Sequence, residues 1–257
     1  MKILNLYAGI GGNRKLWGNE HEVTAVEIDP KIAEIYQNNF PKDKVIVADA
    51  HKFLLEHHKE FDFIWSSPPC PSHGISRYWS SKAENSKINY PAPIYPDMNL
   101  YQEIIFLKHF FKGLWVVENV ISYYEPIIKP IKHRSHYYWC NFSFESNPKK
   151  IDRKVWKSQI QPLQKKTGFD LSGYKGINKL KLLRNCVEPE EGLFIFESAL
   201  RNLSPTSHTL ASPTFPTEKA INKDLTAMQQ VASPKCPLDT SLNSDIKRNF
   251  SLGLRGR

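Results

Sequence analysis

Apolar and polar positions along the first 142 residues alternate between short apolar runs and stretches with a period near 3.6, the pattern of strands exchanging with helices. Residues 2–7 read as a short strand, and 11–17 as the opening of a helix. Residues 22–27 form a second apolar run. A helix is expected after Asp29-Pro30, where proline suits the first turn. Residues 44–48 predict a third strand, 50–58 a helix, and 61–65 a fourth strand. After a long loop containing Pro and Ser come a helix over 98–111, a strand over 114–117, a helix from 120 to 129 and a sixth strand over 136–142. Repeated strand–helix units predict an α/β protein with a doubly wound, Rossmann-like parallel sheet, and place its ligand site at the C-terminal strand ends.

The turn after the first strand narrows the choice of ligand. It runs Ala8-Gly9-Ile10-Gly11-Gly12, but the dinucleotide fingerprint G-x-G-x-x-G requires a glycine where Arg14 stands. A phosphate loop requires G-K-[ST], and Gly12 is followed by Asn13-Arg14. Gly9, Gly11 and Gly12 still let a ligand approach the backbone, although a glycine turn by itself equally describes a tight strand-to-helix connection. Glu27 ends the second strand, where a carboxylate can accept from ribose hydroxyls. Asp49 ends the third, placed to accept from an adenine amino group. Adenosine recognition without a pyrophosphate loop points to S-adenosyl-L-methionine.

Two further strand ends carry chemistry. Cys70 lies in Ser66-Ser67-Pro68-Pro69-Cys70-Pro71, directly after the fourth apolar run, on a turn stiffened by consecutive prolines. The fifth run leads into Glu118-Asn119-Val120. A thiol and a carboxylate presented together suit nucleophilic attack on a ring that is protonated as it is attacked, and cytosine is such a ring. Taken singly, a cysteine after a strand is usually a small buried hydrophobe, and a glutamate there can be a helix N-terminal acid. The four cysteines (70, 140, 186 and 236) contain no C-x-x-C pair, so neither zinc nor a disulfide framework is expected. Cys140 and Cys186 read as packing residues, and His57-His58 as solvated helix surface.

Charge adds a partner. The chain carries a formal +9, and residues 143–185 hold eleven Lys/Arg against three Asp/Glu, a net +8 from one segment. With Trp156 and Tyr174 interleaved, that segment reads as a polyanion-binding surface and makes nucleic acid the leading partner, against the plainer reading of a solvated lysine-rich face. The most apolar stretch, 104–117, is interrupted by Lys108, His109 and Lys112, so no membrane partner is expected. No signal-peptide pattern precedes the first strand, and a cytoplasmic location follows as an expectation. Residues 203–257 are rich in Ser, Thr and Pro, repeat Ser-Pro-Thr at 204–206 and 212–214, and are expected to be disordered.

These residues together resemble the cytosine-C5 DNA methyltransferases, particularly short phage- and prophage-borne bacterial members. Asn5-Leu6-Tyr7-Ala8-Gly9-Ile10-Gly11-Gly12 resembles the family's cofactor loop, with Tyr7 at its aromatic position and Asn5 where Asp is commoner. Glu27 and Asp49 match its ribose- and adenine-binding acids, Pro69-Cys70 its nucleophile motif, and Glu118-Asn119-Val120 its Glu-Asn-Val motif. Arg184-Asn185-Cys186-Val187-Glu188-Pro189 resembles the final G-N-x-V-x-P, which in the family returns to complete the cofactor site; Gly168-Phe169-Asp170 resembles the tail of the motif before it. The resemblance implies a catalytic and cofactor-binding core over 1–142, a reduced, basic target-recognition segment over 143–167 and returning motifs over 168–202. Pro71 stands where the family has glutamine, and Arg134-Ser135-His136 where it has Arg-x-Arg. Arg134 is the candidate for contacting the base carbonyl, or Ser135 if the register shifts by one.

The implied activity is methyl transfer from S-adenosylmethionine to C5 of a flipped cytosine through a covalent Cys70 adduct, assisted by Glu118. Tyr7, Gly9, Gly11, Gly12, Glu27, Asp49, Pro69 and Asn185 line the implied cofactor site, and no metal is called for. Residues 71–96, with Ser72, Arg77, Tyr78 and Trp79, are expected to cover the base. DNA is the expected substrate, with a restriction nuclease or a specificity protein as partner and a monomeric enzyme. RNA cytosine methylation and a catalytically silent nucleic-acid binder are the alternatives.

Overall fold

The computed structural model describes residues 1–75, 95–146 and 159–203. In chain order β1 is Lys2–Leu6, β2 Glu22–Glu27, α1 Pro30–Asn39, β3 Lys44–Val47 and α2 Ala50–His57, continued by a 3-10 turn at His58–Glu60. Then follow β4 Phe63–Ser66, α3 Asn99–Phe110, β5 Leu114–Val120, β6 Ile131–His133 and β7 His136–Cys140. Three helices close the described chain: α4 Ile160–Thr167, α5 Lys179–Asn185 and α6 Pro189–Leu203. Asp29 caps α1 by accepting from the amides of Lys31 and Ile32 ahead of Pro30, and Asp49 caps α2 through Lys52.

The seven strands form one mixed sheet in the order β3-β2-β1-β4-β5-β7-β6. The first five in that order run parallel, while β7 is antiparallel to β5 and β6 to β7. This is the expected doubly wound, Rossmann-like α/β architecture, with an antiparallel hairpin at one edge. Strand order reverses between β1 and β4, which opens a crevice beyond their C-terminal ends.

Alternation along the central strands divides the core. Leu4, Ile64, Val117 and Trp139 face one side, packing with Leu54 of α2 and with Leu100, Ile104 and Leu107 of α3. Their neighbours Ile3, Phe63, Val116 and Tyr138 face the other, with Trp17 and with Ile195, Phe196 and Ala199 of α6. Burial on both faces is why β4 reads as the apolar run Phe63-Ile64-Trp65 and why β1 is apolar apart from Lys2 and the buried Asn5.

Three expectations are corrected. Residues 11–17 form consecutive turns rather than a helix, because Gly11 adopts φ +86° and side-chain anchors replace the helical ladder. β5 continues through Val120, so Glu118-Asn119-Val120 lies within a strand, and residues 121–130 hold no helix; Pro126 and Pro130 withhold donors there. Without a helical crossover the chain returns as the β6–β7 hairpin, and the expected sixth strand runs antiparallel, ending at Cys140.

Candidate functional site

The glycine turn is held from below by buried polar pairs. Asn5 and Asn13 exchange side-chain amide bonds of 2.8 and 3.3 Å. Arg14, the residue that breaks the dinucleotide fingerprint, is buried and grips Asp43 with two bonds of 2.9 and 3.0 Å, its guanidinium lying over Phe40. Tyr36 donates to the same carboxylate at 2.9 Å. A Cβ at Gly11 would come within 2.3 Å of the Phe40 ring, and one at Gly12 within 2.3 Å of the Val187 carbonyl. Both positions therefore accept only glycine without rearrangement.

Above the turn there is space: a Cβ built at Gly9 meets nothing within 4 Å. Glu27 accepts from the Gly9 amide at 2.9 Å and from the Asp29 amide at 3.0 Å, one bond to each oxygen. The carboxylate that sequence reading reserved for ribose thus first shapes the turn, and each oxygen retains a lone pair. Ile28 beside it is 66% exposed, an apolar side chain at the crevice lip that sequence reading missed. Asp49 is exposed at the α2 N-terminus. Tyr7 sits at φ +54° with its ring partly buried and its hydroxyl 2.5 Å from Glu103 of α3; burial, then that carboxylate, hold the phenol far above its ordinary pKa. An apolar lip, two acids at successive strand ends and an open glycine turn fit an adenosine-bearing cofactor.

The Cys70 turn is bound to β5. Asn119 donates its side-chain amide to the Pro68 carbonyl at 2.9 Å, and its side-chain oxygen accepts from the Val120 amide. The Cys70 carbonyl accepts from the amides of His73 and Gly74, closing a tight turn. Gly74 pairs with Ser122, Tyr123 donates to the His73 carbonyl, and the buried His73 ring meets the Tyr124 hydroxyl at 2.6 Å. Cys70 is partly buried with Pro69 exposed before it. Desolvation first, and the negative charge of Glu118 second, raise the Cys70 pKa above the ordinary thiol value. Ser72 accepts from the Asp97 amide at 3.0 Å, joining the two ends of the loop expected to cover the base. Arg77, Tyr78 and Trp79 lie outside the described residues.

Glu118 is buried in β5 on the sheet face shared with Tyr138 and His136, because Glu118 pairs with Tyr138 and Val120 with His136. His136 Nε2 lies 3.6 Å from a Glu118 oxygen. Arg134, the sequence candidate for the base carbonyl, sits at φ +48° in the β6–β7 turn and pairs with Glu191 of α6 at 3.1 Å. Glu191 also accepts from Tyr138 at 3.1 Å and lies 3.2 Å from His133. Burial raises the Glu191 carboxyl pKa, against the opposing pull of Arg134. The structure thus sets His136 beside Glu118, whose charge acts on Cys70, and holds Arg134 in a neighbouring ion pair. Register, invisible in a motif, is what puts His136 beside Glu118.

The returning segment docks on the cofactor turn. Cys186 and Val187 cover Gly12, Trp17 donates to the Gly192 carbonyl at 3.1 Å, and a Cβ at Gly192 would collide with the Asn13 backbone. Asn185 is exposed at the end of α5, one residue before that contact. Burial pushes the Cys186 thiol up to about 12, so it packs as an inert apolar group. α4 and α5 close over the same end of the sheet, Leu163, Phe169, Leu171 and Leu183 packing with Ile10 and Ile35. Within the expected recognition segment, residues 160–167 are therefore helical and core-packed, while 147–158 lie outside the described residues, as do 204–257. Among the described residues no cluster of His, Cys, Asp or Glu is arranged to hold a metal, and no helix is long and apolar enough to cross a membrane.

Comparison with known proteins agrees with this geometry over the N-terminal part. Residues 1–90 match the family described as C-5 cytosine-specific DNA methylase; they include the glycine turn, Glu27, Asp49 and Cys70. The chain is 35% identical over 81 residues to the type II methyltransferase M.Bsp6I of Bacillus sp. (strain RFL6), covering 30% of this chain and 25% of that protein. It is 28% identical over 118 residues to the tRNA (cytosine(38)-C(5))-methyltransferase of Rattus norvegicus, covering 42% of this chain and 30% of that one. The matches span between a quarter and a third of these relatives' lengths. Among solved structures, the Entamoeba histolytica methyltransferase EhMeth superposes with a TM-score of 0.44 at 13% identity, covering 79% of this chain and 99% of that one. A Spodoptera frugiperda DNMT2 variant gives 0.37 at 20% identity, covering 58% and 54%.

Proposed function

We propose that this chain is an S-adenosylmethionine-dependent cytosine-C5 methyltransferase acting on DNA, with Cys70 as nucleophile and Glu118 as its acid partner. The observation that carries the reading is the bond from Asn119 to the Pro68 carbonyl, which fixes the Cys70 turn against the strand bearing Glu118. Tyr7, the Gly9–Gly12 turn, Glu27, Ile28, Asp49 and Pro69 would hold the cofactor, with Asn185 at its far edge. When bound, that cofactor supplies the activated methyl group that C5 takes up.

The chain's own residues prepare C5. Cytosine C5 is too weakly nucleophilic to react unaided. The Cys70 thiolate adds to C6, the ring electrons move toward C5, and Glu118 keeps a proton on N3 so that charge does not accumulate on the ring. Engaging N3 also offsets the negative charge of Glu118 that disfavours the Cys70 thiolate. Removal of the C5 proton and expulsion of Cys70 complete the turnover. The target must leave the duplex to reach a partly buried thiol.

The basic segment over 143–185 supports a nucleic-acid substrate, and a shortened recognition region over 143–167 leaves sequence choice to the loop over 71–96 or to a partner protein. RNA is the second reading, favoured by the similarity to a tRNA cytosine methyltransferase. Methyl transfer from labelled S-adenosylmethionine to unmodified DNA and to transfer RNA, compared between wild type and Cys70→Ala, tests both. Label recovered as 5-methylcytosine in DNA and lost in Cys70→Ala is the expected result. Label in RNA alone selects the second reading, and cofactor binding without transfer to either identifies a silent nucleic-acid binder.

A further inference from the structure

Glu103 is the most deeply buried carboxylate near the crevice, at 0% exposure, on an α3 face otherwise made of Leu100, Tyr101, Ile104 and Leu107. An ionisable group in such surroundings persists only with partners, and Glu103 has three. One oxygen accepts from the Tyr7 hydroxyl at 2.5 Å and lies 3.1 Å from His51 Nδ1; the other accepts from the Ser66 hydroxyl at 2.6 Å. Tyr7 follows β1, Ser66 ends β4, and His51 lies in the first turn of α2, two residues after Asp49. Leu6 and Ser66 are register partners on the two strands between which the sheet order reverses. One carboxylate therefore ties together the aromatic residue after β1, the strand leading to Pro68-Pro69-Cys70, and the helix capped by Asp49.

Tyr7 makes this more than core packing. Its φ of +54° lies in the left-handed region that a bulky side chain rarely occupies, so the surroundings must fix it there. The hydroxyl bond to Glu103 is the fixing contact available to the ring's far end. A phenylalanine would fill the same space and lack that anchor.

We propose that Glu103 is a positioning residue for the adenosine-bearing cofactor, acting through the Tyr7 hydroxyl to hold the ring at the crevice in its binding orientation. The proposal rests on the cofactor reading above and goes beyond it. It assigns a function to Glu103, which lies outside the motifs named above, and to the Tyr7 hydroxyl.

The test is equilibrium binding of S-adenosyl-L-homocysteine by calorimetry to the full chain, for wild type, Tyr7→Phe, Glu103→Gln and the double variant, with thermal melting alongside. Each single variant is expected to weaken binding about tenfold. The double variant should be no more than about twofold weaker than Glu103→Gln alone, because the neutral amide has already replaced the charge-assisted bond that the Tyr7 hydroxyl donates. Tyr7→Phe deletes a single oxygen, so a poorly folding Glu103→Gln leaves the central comparison intact. Unchanged affinity in both singles, with melting lowered, would make the network purely structural and overturn the proposal alone. No binding by wild type would overturn the proposal together with the cofactor reading.

Discussion

Asn119 reaches from the C-terminal end of β5 to the Pro68 carbonyl, 2.9 Å away, and thereby fastens the turn that presents Cys70. The two elements are adjacent parallel strands, so their ends would lie near each other in any case. Adjacency fixes position only to the width of a loop. The amide bond, with the Gly74–Ser122 bridge and the bond from Tyr123 to His73, fastens the proline-stiffened turn to the segment that carries Glu118.

Replacing Asn119 by aspartate keeps the shape, removes the donor and faces a carboxylate toward the Pro68 carbonyl. The buried carbonyl loses its partner, and stability is expected to fall by about 1–3 kcal/mol. Methyl transfer should fall at least tenfold while cofactor affinity stays within about twofold, since the glycine turn is held by other contacts. Urea unfolding and cofactor calorimetry on the same preparations separate the two effects. A parallel loss of cofactor affinity would show that the two halves of the site are not independent.

The Cys70 thiol titrates above the ordinary value because burial and the Glu118 charge both disfavour the thiolate. The thiolate fraction at neutral pH is thus smaller than for a free cysteine, and alkylation of Cys70 by iodoacetamide should be slow at pH 7. It should accelerate as pH rises beyond the ordinary thiol range. Glu118→Gln removes the charge, lowers the pKa and should speed alkylation at pH 8 severalfold, while abolishing methyl transfer. A rate unchanged or lowered by Glu118→Gln, read by mass spectrometry of the Cys70 peptide, would contradict the coupling.

Four of the parallel strands, β1, β2, β4 and β5, were legible because they are buried on both faces and are mostly apolar; β2 spans residues 22–27 as expected, whereas β3 is only partly buried. The β6–β7 hairpin was not. Glu118 and Asn119 look like a helix start after a short strand, and only the tertiary pairing with Tyr138 and Tyr137 keeps them extended. Cys70 was legible from its prolines. His136 was not, because a motif read along the chain points to Arg134, and cross-strand register is needed to see which side chain meets Glu118. Glu103 carries no local signal, since a single acid on a helix reads as surface until the sheet beneath it is known.

Arg134 and His136 are expected to respond differently to alanine. Arg134→Ala leaves the buried Glu191 without its guanidinium, and with Arg134 partly exposed the cost should be about 1–3 kcal/mol of stability. His136→Ala removes a side chain that meets Glu118 at the open end of β7, and should lower methyl transfer at least tenfold with a small change in melting. Thermal melts and turnover measured on both variants decide it. Loss of turnover in Arg134→Ala with unchanged stability would support Arg134 in the base-binding role.

Arg14 offers a different test, because the residue that excludes a dinucleotide fingerprint is also the foundation of the turn that replaces it. Its guanidinium holds both oxygens of Asp43 in a buried, two-bond fork, and Tyr36 satisfies the same carboxylate. Arg14→Ala strands that carboxylate away from water, and a loss of about 3–5 kcal/mol is expected. Arg14→Lys should recover only part of it, since one ammonium cannot match the fork. Arg14→Met combined with Asp43→Asn removes both charges while keeping an acceptor for Tyr36, and should be more stable than Arg14→Ala. If denaturant melts instead place Arg14→Ala within 1 kcal/mol of wild type, the pair is dispensable, and the turn's shape must come from Asn5, Asn13, the Glu27 bond to the Gly9 amide and the docking of Val187 on Gly12.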